Sequence, residues 1–365
     1  MIRALLVDDE PPARARLRQL LQEAGDVLVV GEAGDVEEAR AAIDTTRPDV
    51  VFLDIEMPVV RGTDFAASLP PPRPFIVFAT AYDRFALDAF AVDATDYLLK
   101  PVTRGRLGGT LARVRARLAS RTDLDKEMSA ASAVQARLLG RPMPVVPGLA
   151  CAGVTEPAGG VGGDFFDVFT LDRARVAVVL GDASGKGLPA SLIASSVQAR
   201  IHTAARHATD PRAMLAAVSD DVCATSSGDR YATAVYGEID LAAWRLRLVN
   251  AGHGAALVVG PDGQPTWLPS TGPVIGLMEG VSYGMHHAAV APGSLLVLVS
   301  DGITDAFDDQ GAEFGDARLL ATVAGVAREA PARVAEAITS AARAHRGARG
   351  ATDDATVLVI RMGEA

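Results

Sequence analysis

Five short runs of apolar and β-branched residues, Ile2 to Val7, Val27 to Val30, Val50 to Leu53, Phe75 to Ala79 and Thr95 to Leu99, fall within the first 104 residues. They alternate with stretches of helical periodicity at Pro11 to Ala24, Val36 to Thr45, Thr63 to Leu69 and Arg84 to Ala91, with a fifth from Thr103 onward. A helix between successive strands predicts an α/β doubly wound parallel sheet, whose ligands meet the C-terminal edge of its strands. At that edge stand Asp8 and Asp9 after the first run, Asp54 after the third, Thr80 after the fourth and Lys100, before Pro101, after the fifth. Three converging carboxylates repel one another unless a divalent cation holds them, and Asp54 then offers an oxygen for phosphoryl transfer. Thr80 and Lys100 are suited to receive the phosphoryl oxygens. Taken singly, each residue reads as a loop cap or a surface charge; the set, in this order, carries the chemistry.

Residues 148–365 follow a different pattern. Strands are expected at Val176 to Leu180, Ala232 to Ile239, Arg245 to Asn250, Ala255 to Val259, Ser294 to Ser300 and Ala355 to Arg361. Helices are expected at Leu188 to His207, Arg212 to Ala224, Ala317 to Arg328 and Arg333 to His345. Runs of strands with grouped helices predict an α+β fold, a β-sandwich flanked by helices. Acids recur at the strand edges beside Gly or a turn: Asp164 in Val161-Gly-Gly-Asp-Phe-Phe-Asp167, Asp182 in Gly181-Asp-Ala-Ser-Gly-Lys-Gly187, Asp301 in Ser300-Asp-Gly, and Asp353-Asp354 before the last strand. Asp182 alone also reads as a helix cap. Four separated acids of this kind suit a hard-cation site built from carboxylate oxygens and water.

A length of 365 residues suggests two or three domains. The two cysteines, Cys151 and Cys223, form neither a metal-ligand spacing nor a disulfide framework, so a reducing cytoplasm is the expected location. The N-terminal apolar run ends at Asp8, Asp9 and Glu10, unlike a secretory signal, and no run approaches the ~20 apolar residues of a membrane span. The net charge of -10 divides as -7 over residues 1–104, +5 over 105–147 and -8 over 148–365. Two acidic bodies argue against nucleic acid as a partner, and no helix-turn-helix-like unit is visible. Only three of the 35 basic residues are lysines, Lys100, Lys126 and Lys186, and two of them lie in candidate sites, where a compact point charge has a use.

Between the bodies, Leu107, Leu111, Val114 and Leu118 make an apolar stripe, with Arg106, Arg113, Arg117 and Arg121 on another face. Gly108-Gly109 weakens the start of this helix, and the apolar phase restarts at Leu124, Met128, Ala131 and Leu138, with Thr122 and Asp125 placed for a capping box. Pro142, Pro144 and Pro147 end it. The arginines read as a solvated face, and the short heptad-like seam is compatible with a homodimeric coiled coil.

Together, Val7-Asp-Asp-Glu-Pro11, Phe52-Leu-Asp-Ile-Glu-Met-Pro58, Ala79-Thr-Ala-Tyr82 and Asp96-Tyr-Leu-Leu-Lys-Pro101 resemble the receiver domain of two-component response regulators. That resemblance implies phosphorylation of Asp54 by a cognate sensor histidine kinase, Mg²⁺ held by Asp8, Asp9 and Asp54, a phosphoryl contact from Lys100, and a switch formed by Thr80 with Tyr97. The segment Thr80 to Lys100 looks most like receivers fused to a DNA-binding output, and no such output follows. The motifs around Asp164, Asp182, Asn250-Ala-Gly-His253, Ser300 to Asp305 and Asp353-Asp-Ala-Thr356 are similar to those of the SpoIIE/RsbU branch of PPM-type serine/threonine phosphatases. This implies two Mn²⁺ or Mg²⁺ ions on Asp164, Asp182, Asp301, Asp353 and the Ala183 carbonyl, hydrolysis by an activated water, and a phosphorylated STAS-type anti-sigma factor antagonist as substrate. Asp182 and Asp301 are the expected catalytic residues. Lys186 and the helix after it belong, by resemblance, to a regulatory segment; Asn250 and His253 read as a structural turn.

The expected organisation is a receiver at residues 1–104, a helical linker at 105–147 and a phosphatase at 148–365. The expected function is a response regulator whose receiver controls a metal-dependent phosphatase. The alternative is a phosphatase-like binding module that docks a partner without turnover.

Overall fold

The computed structural model describes residues 1–70, 72–81, 93–226, 230–347 and 350–363. These fall into two compact units, Met1–Lys126 and Glu127–Ala365.

In the first unit the order is β1 (Ile2–Val7), α1 (Pro11–Ala24), β2 (Val27–Ala33), α2 (Val36–Thr46), β3 (Val50–Leu53), α3 (Gly62–Ser68), β4 (Phe75–Thr80) and β5 (Asp96–Leu99), followed by α4 (Arg104–Leu139). The helix expected at Arg84 to Ala91 lies outside the described residues. All neighbouring strands pair in parallel, in the order β2-β1-β3-β4-β5. Side chains alternate across this sheet, so Leu6 and Phe52 meet Leu20, Leu107 and Leu111 on one face, while Leu5, Leu53 and Phe78 meet Ala39 and Phe65 on the other. The register Val7↔Leu53 and Thr80↔Leu99 delivers Asp8, Asp54, Thr80 and Lys100 to the same edge.

The linker differs from the sequence expectation in two ways. α4 runs without a break through Thr122 to Asp125, because the Thr122 hydroxyl donates back to the Leu118 carbonyl at 2.9 Å instead of capping a new helix. Gly108 and Gly109 are carried inside it because Leu107, Leu111 and Val114 are buried, and that packing outweighs glycine's low propensity. The arginine face is ion-paired within the first unit: Arg104 with Glu23 at 2.7 Å, Arg115 with Asp26 at 2.7 Å, Arg117 with Asp93 at 3.3 Å, and both Arg106 and Arg113 with Asp96. Exposed pairs of this kind each contribute little, so the apolar stripe does most of the holding.

The second unit contains β6 (Leu149–Glu156), β7 (Asp164–Thr170), β8 (Arg175–Ala183), α5 (Leu188–Ala205), α6 (Pro211–Thr225), β9 (Ala232–Asp240), β10 (Arg245–Ala251), β11 (Ala256–Val259), β12 (Pro265–Trp267), β13 (His286–Ala289), β14 (Leu295–Val299), α7 (Asp301–Thr304), α8 (Gly315–Val326), α9 (Pro331–Arg346) and β15 (Ala355–Met362). They build two antiparallel sheets, β13-β10-β9-β8-β7 and β12-β11-β14-β15-β6. Val178, Leu180 and Leu248 pack against Val258, Leu298 and Leu358 between the sheets. The opposite faces bury Val179 and Tyr236 against Val197 and Leu215 of α5 and α6, and Val297 and Val359 against Leu319 and Ile338 of α8 and α9. The result is a four-layer sandwich, helices outside and sheets inside.

Candidate functional site

At the sheet edge of the first unit, Asp8, Asp9 and Asp54 each bring a carboxylate oxygen within 4.8 Å of the others. Lys100 Nζ lies 2.6 Å from Asp54 Oδ2 and 2.7 Å from Asp8 Oδ2. Burial raises the Asp8 pKa against the pull of Lys100; on Lys100 burial disfavours the charge, but the hydrogen bonds and charges of Asp54 and Asp8 outweigh it and raise its pKa. An all-oxygen donor set of this kind fits a hard divalent cation. Gly62 permits the approach behind it, since a Cβ there would lie 2.0 Å from the Asp54 carbonyl oxygen. Thr80 is fully buried and its hydroxyl has no hydrogen-bond partner among the described residues. Tyr97 stands opposite Phe78 in the β4–β5 register and is half-buried.

In the second unit, Asp164 opens β7 and Asp182 lies near the end of β8, and the antiparallel register pairs the two directly. The sequence places Asp182 beyond its strand, but β8 continues through Ala183 because β7 and β9 both pair with it there. Asp301 opens α7 at the exposed rim, and Asp353 immediately precedes Asp354 and β15. Burial, reinforced by the Asp182 charge, holds the Asp164 pKa well above the usual carboxylate range. Burial and the charges of Asp301 and Asp353 push Asp182 up to about 7, and burial with Asp353 raises Asp301. Acids that disfavour one another's ionisation are a place where a cation is welcome.

The hydrogen bonds point the same way. Asp164 Oδ2 accepts from the Ser300 hydroxyl at 2.7 Å, while Asp164 Oδ1 is buried with no hydrogen-bond partner among the described residues. A buried carboxylate oxygen left unpartnered beside other acids fits a metal ligand. Among the described residues, Asp8, Asp9 and Asp54 are the one group of three acids whose carboxylate oxygens all lie within 4.8 Å of one another; no three acids of the second unit meet that closely.

The adjacent acids Asp353 and Asp354 do different work. Both oxygens of Asp354 are taken by backbone amides, Ala158 N at 2.7 Å and Gly163 N at 2.6 Å, so it closes the loop ahead of Asp164. Asp353 faces the cluster and meets Lys186 Nζ at 3.1 Å; that ammonium also donates to the Thr352 carbonyl. At Gly163 a Cβ would lie 2.9 Å from the Ala183 carbonyl oxygen and 3.0 Å from Asp182 Oδ1, so a bare backbone is required beside these two groups.

Asn250 and His253 make a turn. Asn250 Oδ1 accepts the His253 amide at 2.8 Å, and its Nδ2 donates to the Leu268 carbonyl at 3.1 Å. His253 Nε2 lies 3.0 Å from the Val299 carbonyl, which can only accept, so Nε2 carries the proton and Nδ1 accepts from the Thr233 hydroxyl at 2.8 Å. Burial pushes its pKa down to about 4. Arg343 and Arg346 lie in α9, where Arg343 pairs with Glu156; Arg349 lies outside the described residues.

Two contacts carried no sequence signal. Gln135 of α4 holds both backbone groups of Gly162, donating from Nε2 to its carbonyl at 2.6 Å and accepting its amide at 3.1 Å. His202 Nδ1 lies 2.9 Å from Asp167 Oδ2, over the Phe169 ring.

Comparison with known proteins agrees with this division. The family model for stage II sporulation protein E (SpoIIE) matches residues 172–363, and that for the response regulator receiver domain matches residues 4–112. The transcriptional regulatory protein BtsR of Escherichia coli K12 is 51% identical over 116 residues, 32% of this chain and 48% of that protein. The chain thus spans about half the length of the curated relatives it matches. Among solved structures, the SiaA-PP2C domain of Pseudomonas aeruginosa superposes with a TM-score of 0.59 at 21% identity, over 67% of this chain and 99% of that one. The RsbU and RsbW domains of a Mycobacterium tuberculosis protein give 0.54 at 23% identity, over 61% and 62%. At these identities the structural likeness establishes the fold.

Proposed function

Because the chain belongs to the SpoIIE family, whose model covers more than half of its 365 residues, and carries a response-regulator receiver domain ahead of that match, we propose that it is a phosphatase under receiver control. In this reading residues 1–104 are the receiver, 105–147 the linker and 148–365 a phosphatase that removes phosphate from Ser or Thr on a protein. The observation that carries it is the buried Asp164 Oδ1, without a hydrogen-bond partner among the described residues and beside Asp182, whose own carboxylate feels the charges of Asp301 and Asp353.

Asp54 accepts a phosphoryl group from a sensor histidine kinase: its carboxylate oxygen attacks phosphorus, and the donor imidazole leaves. Asp8 and Asp9 hold Mg²⁺ with Asp54, Lys100 contacts the phosphoryl oxygens, and Thr80 with Tyr97 relays the change. In the second unit Asp164, Asp182, Asp301, Asp353 and the Ala183 carbonyl hold two Mn²⁺ or Mg²⁺ ions, which when bound lower the pKa of water and offset the charge of the phosphate. Asp354 and Gly163 keep the loop before Asp164 in place, and Lys186, paired with Asp353, stands beside the site. The substrate class is a phosphorylated STAS-type protein, supported by the motifs shared with the SpoIIE/RsbU branch. No helix among the described residues is long and apolar enough to cross a membrane, and we place the protein in the cytoplasm.

The test is Mn²⁺-dependent phosphate release from a phosphoserine STAS protein by the full chain, with and without acetyl phosphate. Release that changes with acetyl phosphate supports both chemistry and coupling. Release without that change removes the receiver's role. No hydrolysis of this or other phosphoserine proteins favours a partner-docking module that does not turn over.

A further inference from the structure

Ser300 lies at the junction of three chain segments and is completely buried. Its hydroxyl oxygen accepts the Thr356 amide at 2.8 Å and donates to Asp164 Oδ2 at 2.7 Å; the Asp354 carbonyl, at 3.3 Å, is the more distant alternative for the same proton. Ser300 N also donates to the Thr356 carbonyl at 2.9 Å, so the residue is fixed to the start of β15 on both its backbone and its side chain. A hydroxyl has one proton, and with the Thr356 amide occupying a lone pair, the shorter available direction for that proton is Asp164. The consequence for Asp164 is asymmetric: Oδ2 is engaged, and Oδ1, itself buried, has no hydrogen-bond partner among the described residues.

We propose that Ser300 is a positioning residue for the hydrolytic centre, pinning Asp164 through Oδ2 so that Oδ1 alone is presented to a divalent cation. The inference rests on the reading of Asp164 as a metal ligand. Outer partners of this kind commonly matter about 10- to 100-fold to metal affinity, because an unpinned carboxylate must be ordered at the moment of binding. Ser300 does not touch substrate, so its effect falls on metal affinity and, through that, on kcat, with KM for the phosphoprotein largely unmoved.

The experiment titrates Mn²⁺ calorimetrically into the full chain carrying Asp9→Asn, which silences the cation site of the receiver. If that protein, with Ser300 intact, binds no Mn²⁺, the metal-site reading itself fails, whatever Ser300 does. If it binds, Ser300→Ala is expected to weaken binding about 10- to 100-fold, with thermal melting in EDTA showing that the fold persists. Ser300→Cys fills the space with a somewhat larger group that is only a weak donor, so it covers the case in which the alanine variant does not fold and is expected to shift affinity in the same direction. Ser300→Thr restores the hydroxyl and is expected to recover binding over that of Ser300→Cys. A folded Ser300→Ala or Ser300→Cys protein that binds Mn²⁺ as tightly as its parent overturns the proposal.

Discussion

The side-chain amide of Gln135 closes on both backbone groups of Gly162, its Nε2 donating to the carbonyl at 2.6 Å and its Oε1 accepting the amide at 3.1 Å. Gly162 is two residues from Asp164, so a polar residue on a long helix fixes the backbone leading into the acid cluster. Gln135→Ala leaves both backbone groups of Gly162 without this partner, and net losses of roughly 1–3 kcal/mol are usual for such vacancies. The expected outcome is a fall in kcat of about tenfold at subsaturating Mn²⁺, with the melting temperature lowered by only a few degrees. Steady-state assays across a Mn²⁺ series read this directly; a profile matching the parent would make the clamp incidental.

Asp182→Asn and Asp301→Asn are expected to cut phosphate release by at least about 100-fold, as loss of a centre that stabilises developing charge typically does. Asp54→Asn is expected to leave basal release intact and to remove its response to acetyl phosphate. EDTA should abolish release in the parent, and added Mn²⁺ should restore it. Full acetyl phosphate response in Asp54→Asn would exclude the receiver switch.

His253 sets a pH dependence of stability. Its folded pKa is depressed from 6.5 to about 4 by burial, so between these values the unfolded chain takes up a proton that the folded chain refuses. This contribution is complete above pH about 6.5 and is lost as pH falls toward 4, by roughly 3 kcal/mol. Urea midpoints at pH 8, 6.5 and 5 should fall in that order, and His253→Gln should flatten the decline while lowering the pH 8 value. An unchanged slope in that variant would assign the acid sensitivity to other groups.

Gly302→Ala puts a Cβ 2.0 Å from the Asp354 carbonyl oxygen, a backbone atom that cannot swing aside. Overpacking of this kind is expected to destabilise by about 1–3 kcal/mol and to lower hydrolysis, since Asp301 and Asp354 flank the strained contact. Calorimetric melting checks the first effect and Mn²⁺-dependent release the second.

The sheet of the first unit was legible because its strands are continuous apolar runs with helices between them. Ile2–Val7, Pro11–Ala24 and Val50–Leu53 emerge with the bounds their composition implies. The strands Leu149–Glu156 and Asp164–Thr170 were not foreseen: the first mixes Gly153 and Thr155 with small residues, and the second sets Asp164 and Asp167 among its aromatic residues. Both become strands through pairing with β15 and β8, a tertiary cause that no local pattern displays. Asp182 and Asp301 stood out by their motifs, whereas Gln135 reads as one more polar residue on a helix, and its role depends on a loop 27 residues away. The pairing of Arg115 with Asp26, 89 residues apart, was hidden for the same reason.

The two hydrogen bonds that the Asp354 carboxylate accepts from backbone amides reach back 196 residues to Ala158 and 191 to Gly163. Loop closures of that length are slow to form and come late in folding. During synthesis, the loop before Asp164 therefore emerges from the ribosome long before the carboxylate that seats it. A nascent chain halted after Lys126 but ahead of Asp354 can fold its first unit while the loop before Asp164 still lacks its anchor, so on the proposed reading the receiver of each new molecule forms before its output can act.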